Sequence, residues 1–289
     1  MSSLLNFPRL SSASTPPDPS LRHTPVRFTN PLSPKQSRSL TYILGEPWLA
    51  DDTVHDTDND TSNDNDHLKL EFIDLPNMAE KGFAAKIRNV LTPEECAHLI
   101  ANTEAITYET ATVTTFGNKQ VLDNGYRNSG RCVIDSSATA DEVFRRIQHL
   151  IPQPNHVKSL GGDHERWALT GINNRLRFLK YSPGGFFKKH RDGAYSEPGL
   201  PYTSRNESKL TMMLYLNGGT SDSATFEGGG TSFHGKNGKR GNGGEVVTMQ
   251  PETGMVLLFE HPLVHSGDEL VSGVKYAVRS DVMYKREPE

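Results

Sequence analysis

Cysteine is scarce in this chain: Cys96 and Cys132 are the only two among 289 residues. One disulfide would be an unusual framework for this length, so a cystine-stapled scaffold is excluded. Cys96 falls on the apolar face of an expected helix with Leu99 and Ile100, and Cys132 falls in a short strand-like run. Both read as buried thiols in a reducing, cytoplasmic setting. Long apolar runs are absent too: none approaches the ~18 residues that span a bilayer. The opening MSSLLNFPRLSSASTPP holds no apolar stretch of secretory-signal length. Strong charge of one sign is also missing. The formal net charge is -4 and the pI near 6.3, which points to neither nucleic acid nor an anionic membrane as partner.

What is present divides the chain in three. Residues 1–66 are dominated by Ser, Pro, Thr, Asn and Asp and are expected to be a disordered tail. Its first 45 residues are Ser-, Pro- and Arg-rich with one acid, Asp18, a faint likeness to an organelle transit peptide that the prolines oppose. The stretch DDTVHDTDNDTSNDND (51–66) alternates Asp like a calcium loop but lacks the central Gly and closing Glu. Residues 67–172 are expected to form a helical support region. Thr92-Pro93-Glu94-Glu95 reads as a capping box with Pro at the first helical position. A second box is expected from Thr139 to Glu142, opening a helix with Val143, Phe144, Ile147, Leu150 and Ile151 on one face and Pro152 as its stop. Residues 173–289 change pattern. Short alternating runs at about 175–182, 186–190, 210–217, 230–234, 245–249, 255–260, 265–270 and 273–284 are separated by Gly-rich turns, which predicts a β-sandwich or barrel backed by helices.

His190-Arg191-Asp192 stands in that last region. In a strand, residues i and i+2 point to one side, so His190 and Asp192 can grip one ion. His265 from a distant strand completes two histidines and one carboxylate. This set leaves coordination positions open, as oxygen-activating Fe(II) requires. An HxD alone is weak, since it occurs often by chance in surface turns, and His261 competes with His265 for the distal place.

The surroundings decide. Tyr181 lies nine residues before His190 in YSPGGFFKKHRD. A strand LTMMLYLN ends near Tyr215. Gly229-Gly230-Thr231-Ser232-Phe233 follows, then Gly254-Met-Val-Leu-Leu-Phe259, then His265 with Gly273 at +8 and Lys275 at +10. In order and spacing this resembles the prolyl 4-hydroxylase type of Fe(II)- and 2-oxoglutarate-dependent dioxygenase, over about residues 80–286. Two departures are visible. The Thr follows the glycine run directly, and Phe187 stands where the family often has Tyr.

The resemblance implies a mainly β fold, a double-stranded β-helix (jelly roll) flanked by α-helices. It implies His190, Asp192 and His265 as iron ligands, and Fe(II), 2-oxoglutarate, O2 and ascorbate as cofactors or co-substrates. The activity implied is hydroxylation of a peptide, prolyl or otherwise, or of a small molecule, with release of succinate and CO2. The presence of Asp192 speaks against the halogenating branch. A jelly-roll binding module with a silent site is the alternative from another class.

The co-substrate anchor follows from strand alternation as well. In the last strand Lys275, Ala277, Arg279, Asp281 and Met283 share one face, and Tyr276, Val278, Ser280, Val282 and Tyr284 share the other. Cations on an inward face are costly unless paired, and a dicarboxylate supplies the missing anion. Lys275 is the expected anchor, Arg279 the runner-up, and Tyr181 and Tyr215 the expected hydroxyl partners.

Three other motifs fail. His190-Arg191-Asp192 also spells a kinase catalytic loop, but Glu197 stands where Asn is required. GTSFHGKN (230–237) nearly matches a phosphate loop, but Asn237 replaces the magnesium-binding hydroxyl. Asn206-Glu207-Ser208 is a sequon without a secretory signal. The segment Gly193 to Ser208 is expected to be a mobile substrate loop.

Overall fold

The computed structural model describes residues 68–75, 82–115, 119–152, 167–199, 201, 205–219, 225–235 and 244–286. The tail 1–66 and Asn237 lie outside them. In chain order the strands are β1 (Leu70–Phe72), β2 (Ala84–Ile87), β3 (Glu109–Thr110), β4 (Val113–Thr115), β5 (Lys119–Val121), β6 (Arg127–Asn128), β7 (Gly130–Asp135), β8 (Trp167–Ile172), β9 (Arg175–Tyr181), β10 (Phe186–His190), β11 (Asn206–Tyr215), β12 (Phe226–Gly228), β13 (Thr231–His234), β14 (Val246–Met249), β15 (Val256–Glu260), β16 (His265–Gly267), β17 (Leu270–Gly273) and β18 (Lys275–Arg286).

A nine-stranded sheet runs β1-β2-β15-β11-β18-β9-β7-β3, with β8 also paired to β18. A five-stranded sheet runs β14-β13-β16-β10-β6, and β12-β17 and β4-β5 form two-stranded ladders. Pairing is antiparallel throughout, including β11 with β15 and β18 and β10 with β16. This is the expected jelly roll. Among its described residues the stretch 67–172 holds helices and also β1 to β8, of which β1, β2, β3, β7 and β8 widen the large sheet. Their short runs do not alternate long enough to read as strands from sequence.

Helix α1 (Pro93–Ile106) starts as expected: Thr92 Oγ1 accepts from Glu95 N, and Glu95 Oε2 accepts from Thr92 N. Helix α2 (Ser137–Ile147) corrects its expectation. Ser136, not Thr139, is the N-cap, with its Oγ accepting from Thr139 N. Ser136 is placed for this by its own N–H, which bonds Asn174 O on the neighbouring turn. Glu142 is drawn instead to Arg145 and Arg146. Arg146 is buried between the helices, 2.7 Å from Glu95 and 2.8 Å from Glu142, and also donates to Val90 O. The helix ends at Ile147, five residues before Pro152.

Two apolar layers follow from strand alternation. Leu99, Val143 and Ile147 of the helices pack on Phe178, Val282 and Tyr284 of the large sheet. Each such large side chain, fully buried, contributes roughly 1.5–3 kcal/mol. Between the sheets, Tyr215, Leu257, Phe259 and Ala277 meet Phe233 of β13. Gly273 closes the turn from β17 into β18 at φ +77°. A Cβ there would fall 2.2 Å from Thr225 O, so only glycine fits. This turn sets the register at which Lys275 faces inward.

Candidate metal centre and co-substrate pocket

His190 ends β10 and His265 begins β16, and the two are direct cross-strand partners. Their rings lie 4.2 Å apart between centroids. Asp192 does not share the strand as expected. It sits two residues past the end of β10, with its N–H bonded to His261 O. It still reaches the histidines: Asp192 Oδ1 is 3.8 Å from His190 Nε2, and Oδ2 is 3.7 Å from His265 Nε2. One ligand atom from each of the three lies within 4.8 Å of the others.

The tautomers suit a cation. His190 Nδ1 lies 2.7 Å from Lys188 O, and His265 Nδ1 lies 3.0 Å from Leu263 O. A carbonyl only accepts, so each Nδ1 carries a proton and each Nε2 is left to face the centre. Burial, helped by His265, pushes His190 down to about 4, so it is neutral near pH 7. Burial opposes ionisation of Asp192, but Arg279, His265 and the Thr211 hydroxyl outweigh it and hold the carboxyl well below its usual range. Two imidazoles and one carboxylate fit a divalent ion with open positions.

His261 is not a ligand. A directional chain of hydrogen bonds occupies it. Asp192 Oδ2 accepts from Thr211 Oγ1 at 2.6 Å. Thr211 Oγ1 therefore accepts from His261 Nδ1 at 2.9 Å. His261 Nε2 then accepts from Ser208 Oγ at 2.9 Å, and Ser208 Oγ accepts from Tyr195 N at 2.7 Å. Each direction is forced, because a carboxylate only accepts and a backbone N–H only donates. Sequence reading missed Thr211 and Ser208. Their one signal was a small hydroxyl at a position that proves fully buried in the strand.

The anchor residues come together on the other side. Lys275 is 4 % exposed, and among the described residues it makes no ion pair. Its Nζ donates to Gly229 O and lies 5.3 Å from the ring centres of both Tyr181 and Tyr215. Burial pulls its pKa down to about 8, against the pull of Asp268. Gly229 permits the contact. It sits at φ +64°, and a Cβ would crowd Leu270 at 2.9 Å and Lys275 at 3.2 Å. Tyr215 Oη is engaged with Thr231 Oγ1 at 2.7 Å.

Arg279 stands elsewhere on the floor, one strand from Arg177 in direct register. Its Nη2 is 3.4 Å from Asp192 and 3.1 Å from Asp281. Phe187 stacks on His190 at 3.6 Å, and Arg127 lies 4.6 Å over the Phe187 ring. The arms of the expected substrate loop pair with each other: Ser196 bridges Glu207, and β11 begins at Asn206, four residues earlier than expected.

Two histidines and one carboxylate with open positions are the ligand set that non-haem Fe(II) oxygenases use. Residues 176–280 match the model of the 2OG-Fe(II) oxygenase superfamily. That segment carries the three metal-site residues, Tyr181, Tyr215, Lys275 and Arg279. The match covers that segment, about a third of the chain, and supports a 2-oxoglutarate-dependent dioxygenase. Three solved structures are similar. A viral collagen prolyl hydroxylase from Paramecium bursaria Chlorella virus-1, in its 2OG complex, shares 17 % identity at TM-score 0.42, over 69 % of this chain and 95 % of that one. A Pseudomonas putida prolyl-4-hydroxylase shares 17 % at 0.46, over 72 % and 95 %. A Trichoplax adhaerens prolyl hydroxylase, bound to a peptide of hypoxia inducible factor, shares 17 % at 0.44, over 69 % and 82 %. Likeness at this level says nothing of this chain's substrate. No curated protein matches the chain. Among the described residues no helix is long and apolar enough to cross a membrane.

Proposed function

We propose that this chain hydroxylates an organic substrate at an Fe(II) held by His190, Asp192 and His265, with 2-oxoglutarate anchored by Lys275. The observation that carries the reading is the buried Lys275 without an ion-pair partner among the described residues, on the strand of the large sheet whose Arg279 reaches Asp192. Iron, when bound, supplies the oxygen activation that couples decarboxylation to hydroxylation. The reaction balances as one oxygen atom entering the substrate C–H bond and the other entering succinate, while C1 of 2-oxoglutarate leaves as CO2.

The residues divide the remaining work. Lys188 O and Leu263 O fix the imidazoles, and Thr211 fixes Asp192. Lys275 neutralises the far carboxylate, and the Tyr181 and Tyr215 rings keep water from it. Ascorbate belongs to the same reading as the reductant that keeps iron ferrous. By the resemblance of the motifs, a prolyl residue in a peptide is the first substrate reading and a small metabolite the second. The test is succinate release with Fe(II) and 2-oxoglutarate, followed by an untargeted screen of peptides and metabolites for a mass gain of one oxygen. No succinate under any condition contradicts the proposal.

A further inference from the structure

The floor beside the metal-site set carries more positive charge than it answers. In β9 and β18, Arg177 and Arg279 are direct antiparallel partners, and both point inward with Leu179, Tyr181, Lys275 and Ala277. Like charges directly opposite on one face destabilise a sheet. Their one shared counter-charge is Asp281, itself 1 % exposed, and it serves both badly. Arg177 Nη1 reaches it at 3.5 Å. Arg279 Nη2 stands 3.1 Å from Asp281 Oδ1, yet that oxygen has no aligned hydrogen bond, and the buried Nε of Arg279 has no partner either. Arg279 also leans on Asp192 at 3.4 Å, but that carboxylate is committed to iron in the proposed reading. Burial and then Arg279 both press the Arg177 pKa below its usual value. On the neighbouring strand Arg131 stands opposite Leu179, and Arg127 lies over Phe187; they bond the Thr112 and Ser129 hydroxyls, and neither makes an ion pair among the described residues.

Charge counting gives the sign of what is missing. Fe(II), Lys275, Arg177 and Arg279 are positive. 2-Oxoglutarate, Asp192, Asp281 and the Asp268 that acts on Lys275 supply as many negative charges, and Arg131 has Glu109 opposite it, so the charge of Arg127 beside His190 is left over. 2-Oxoglutarate does not fill the gap, because Lys275 and Arg279 are four strand residues apart, roughly 13 Å. Guanidinium forks with free N–H edges match a planar carboxylate.

We infer that the substrate of this centre carries a carboxylate, received by Arg177 and Arg279 beside the iron ligands. The inference rests on the dioxygenase reading above and narrows its substrate to acids, whether free carboxylic acids or peptides with an acidic side chain.

The test uses the full chain with Fe(II) and 2-oxoglutarate, without oxygen. Binding is read by calorimetry and by perturbation of the visible iron–2-oxoglutarate band. One pair of probes is phenylacetate against phenylacetamide, and the other is Ac-Glu-Pro-Glu-NH2 against Ac-Gln-Pro-Gln-NH2. In at least one pair the acid binds about tenfold or more tighter than its amide. The pair that shows it distinguishes a free acid from an acidic peptide. The preference disappears in Arg177→Gln and returns in part in Arg177→Lys, each confirmed folded by thermal unfolding. Equal binding of acid and amide, no binding at millimolar probe, or an unchanged preference in Arg177→Gln overturns the inference. A wild-type protein that forms no 2-oxoglutarate band at all refutes the dioxygenase reading instead, so the two failures are distinct.

Discussion

Replacing Lys275 by alanine separates co-substrate binding from metal binding. Lys275 is nearly fully buried, and its ammonium has one hydrogen bond, to Gly229 O, and no ion pair among the described residues. A charge-assisted hydrogen bond to a partly buried anion contributes about 1.5–3 kcal/mol. At roughly 1.4 kcal/mol per decade, Lys275→Ala weakens 2-oxoglutarate binding by about ten- to a hundredfold. Iron binding survives, because no ligand changes. Lys275→Arg keeps more affinity, since the charge remains, although its longer fork meets the Gly229 backbone. The depressed pKa adds a pH signature. Without ligand Lys275 is charged below about pH 8 and neutral above it, and only the charged form attracts the dicarboxylate. Affinity is therefore full near pH 7 and falls as pH rises through 8, and this dependence is lost in Lys275→Ala. The assay is a 2-oxoglutarate titration of succinate formation at saturating iron, repeated from pH 6.5 to 9. Arg279→Ala does less. If Arg279→Ala raises the half-saturation concentration strongly and Lys275→Ala does not, the anchor is Arg279. If neither moves it, 2-oxoglutarate is not the co-substrate.

Other expectations are independent of the anchor. Thr211→Val removes the hydroxyl that orients Asp192 and lowers iron affinity by about ten- to a hundredfold in a chelator competition. His261→Ala acts through the same hydroxyl, so the double variant is hardly worse than the more damaging single one; additive losses would break the proposed chain. Arg146→Ala takes the buried cation from Glu95, leaves Glu142 with Arg145, and costs about 3–5 kcal/mol in denaturant unfolding; a loss under about 1 kcal/mol would contradict that account. From its composition, the segment before Asp66 adds nothing to the core, so a chain starting there keeps its melting temperature and its turnover; a collapse of either would be contrary.

The closeness of the three candidate ligands and the inward aim of Lys275 were legible because each rests on a local rule. His190 and His265 fall at strand positions, and Gly273 two residues before Lys275 marks the turn that aims it. The register that pairs His190 with His265 was not legible, since cross-strand pairing is a tertiary choice. The strands between 67 and 172 were hidden by brevity: Arg127–Asn128 and Glu109–Thr110 are two-residue ladders that exist only because a neighbour supplies the partner. Ser136 was passed over as a cap because Thr139 and Glu142 spell a box three residues later. The buried Arg146 claims that glutamate, a competition invisible without the first helix. His261 looked like a rival ligand because sequence shows residue types and not which hydrogen bonds occupy them.

The central claim is that His190, Asp192 and His265 hold an iron that 2-oxoglutarate joins. Its most direct measurement is an anaerobic titration of the purified chain, first with Fe(II) and then with 2-oxoglutarate, followed by visible absorption. The account predicts one iron per chain, a weak charge-transfer band on adding 2-oxoglutarate, and loss of both in Asp192→Ala. Iron affinity and band left intact by Asp192→Ala would contradict it.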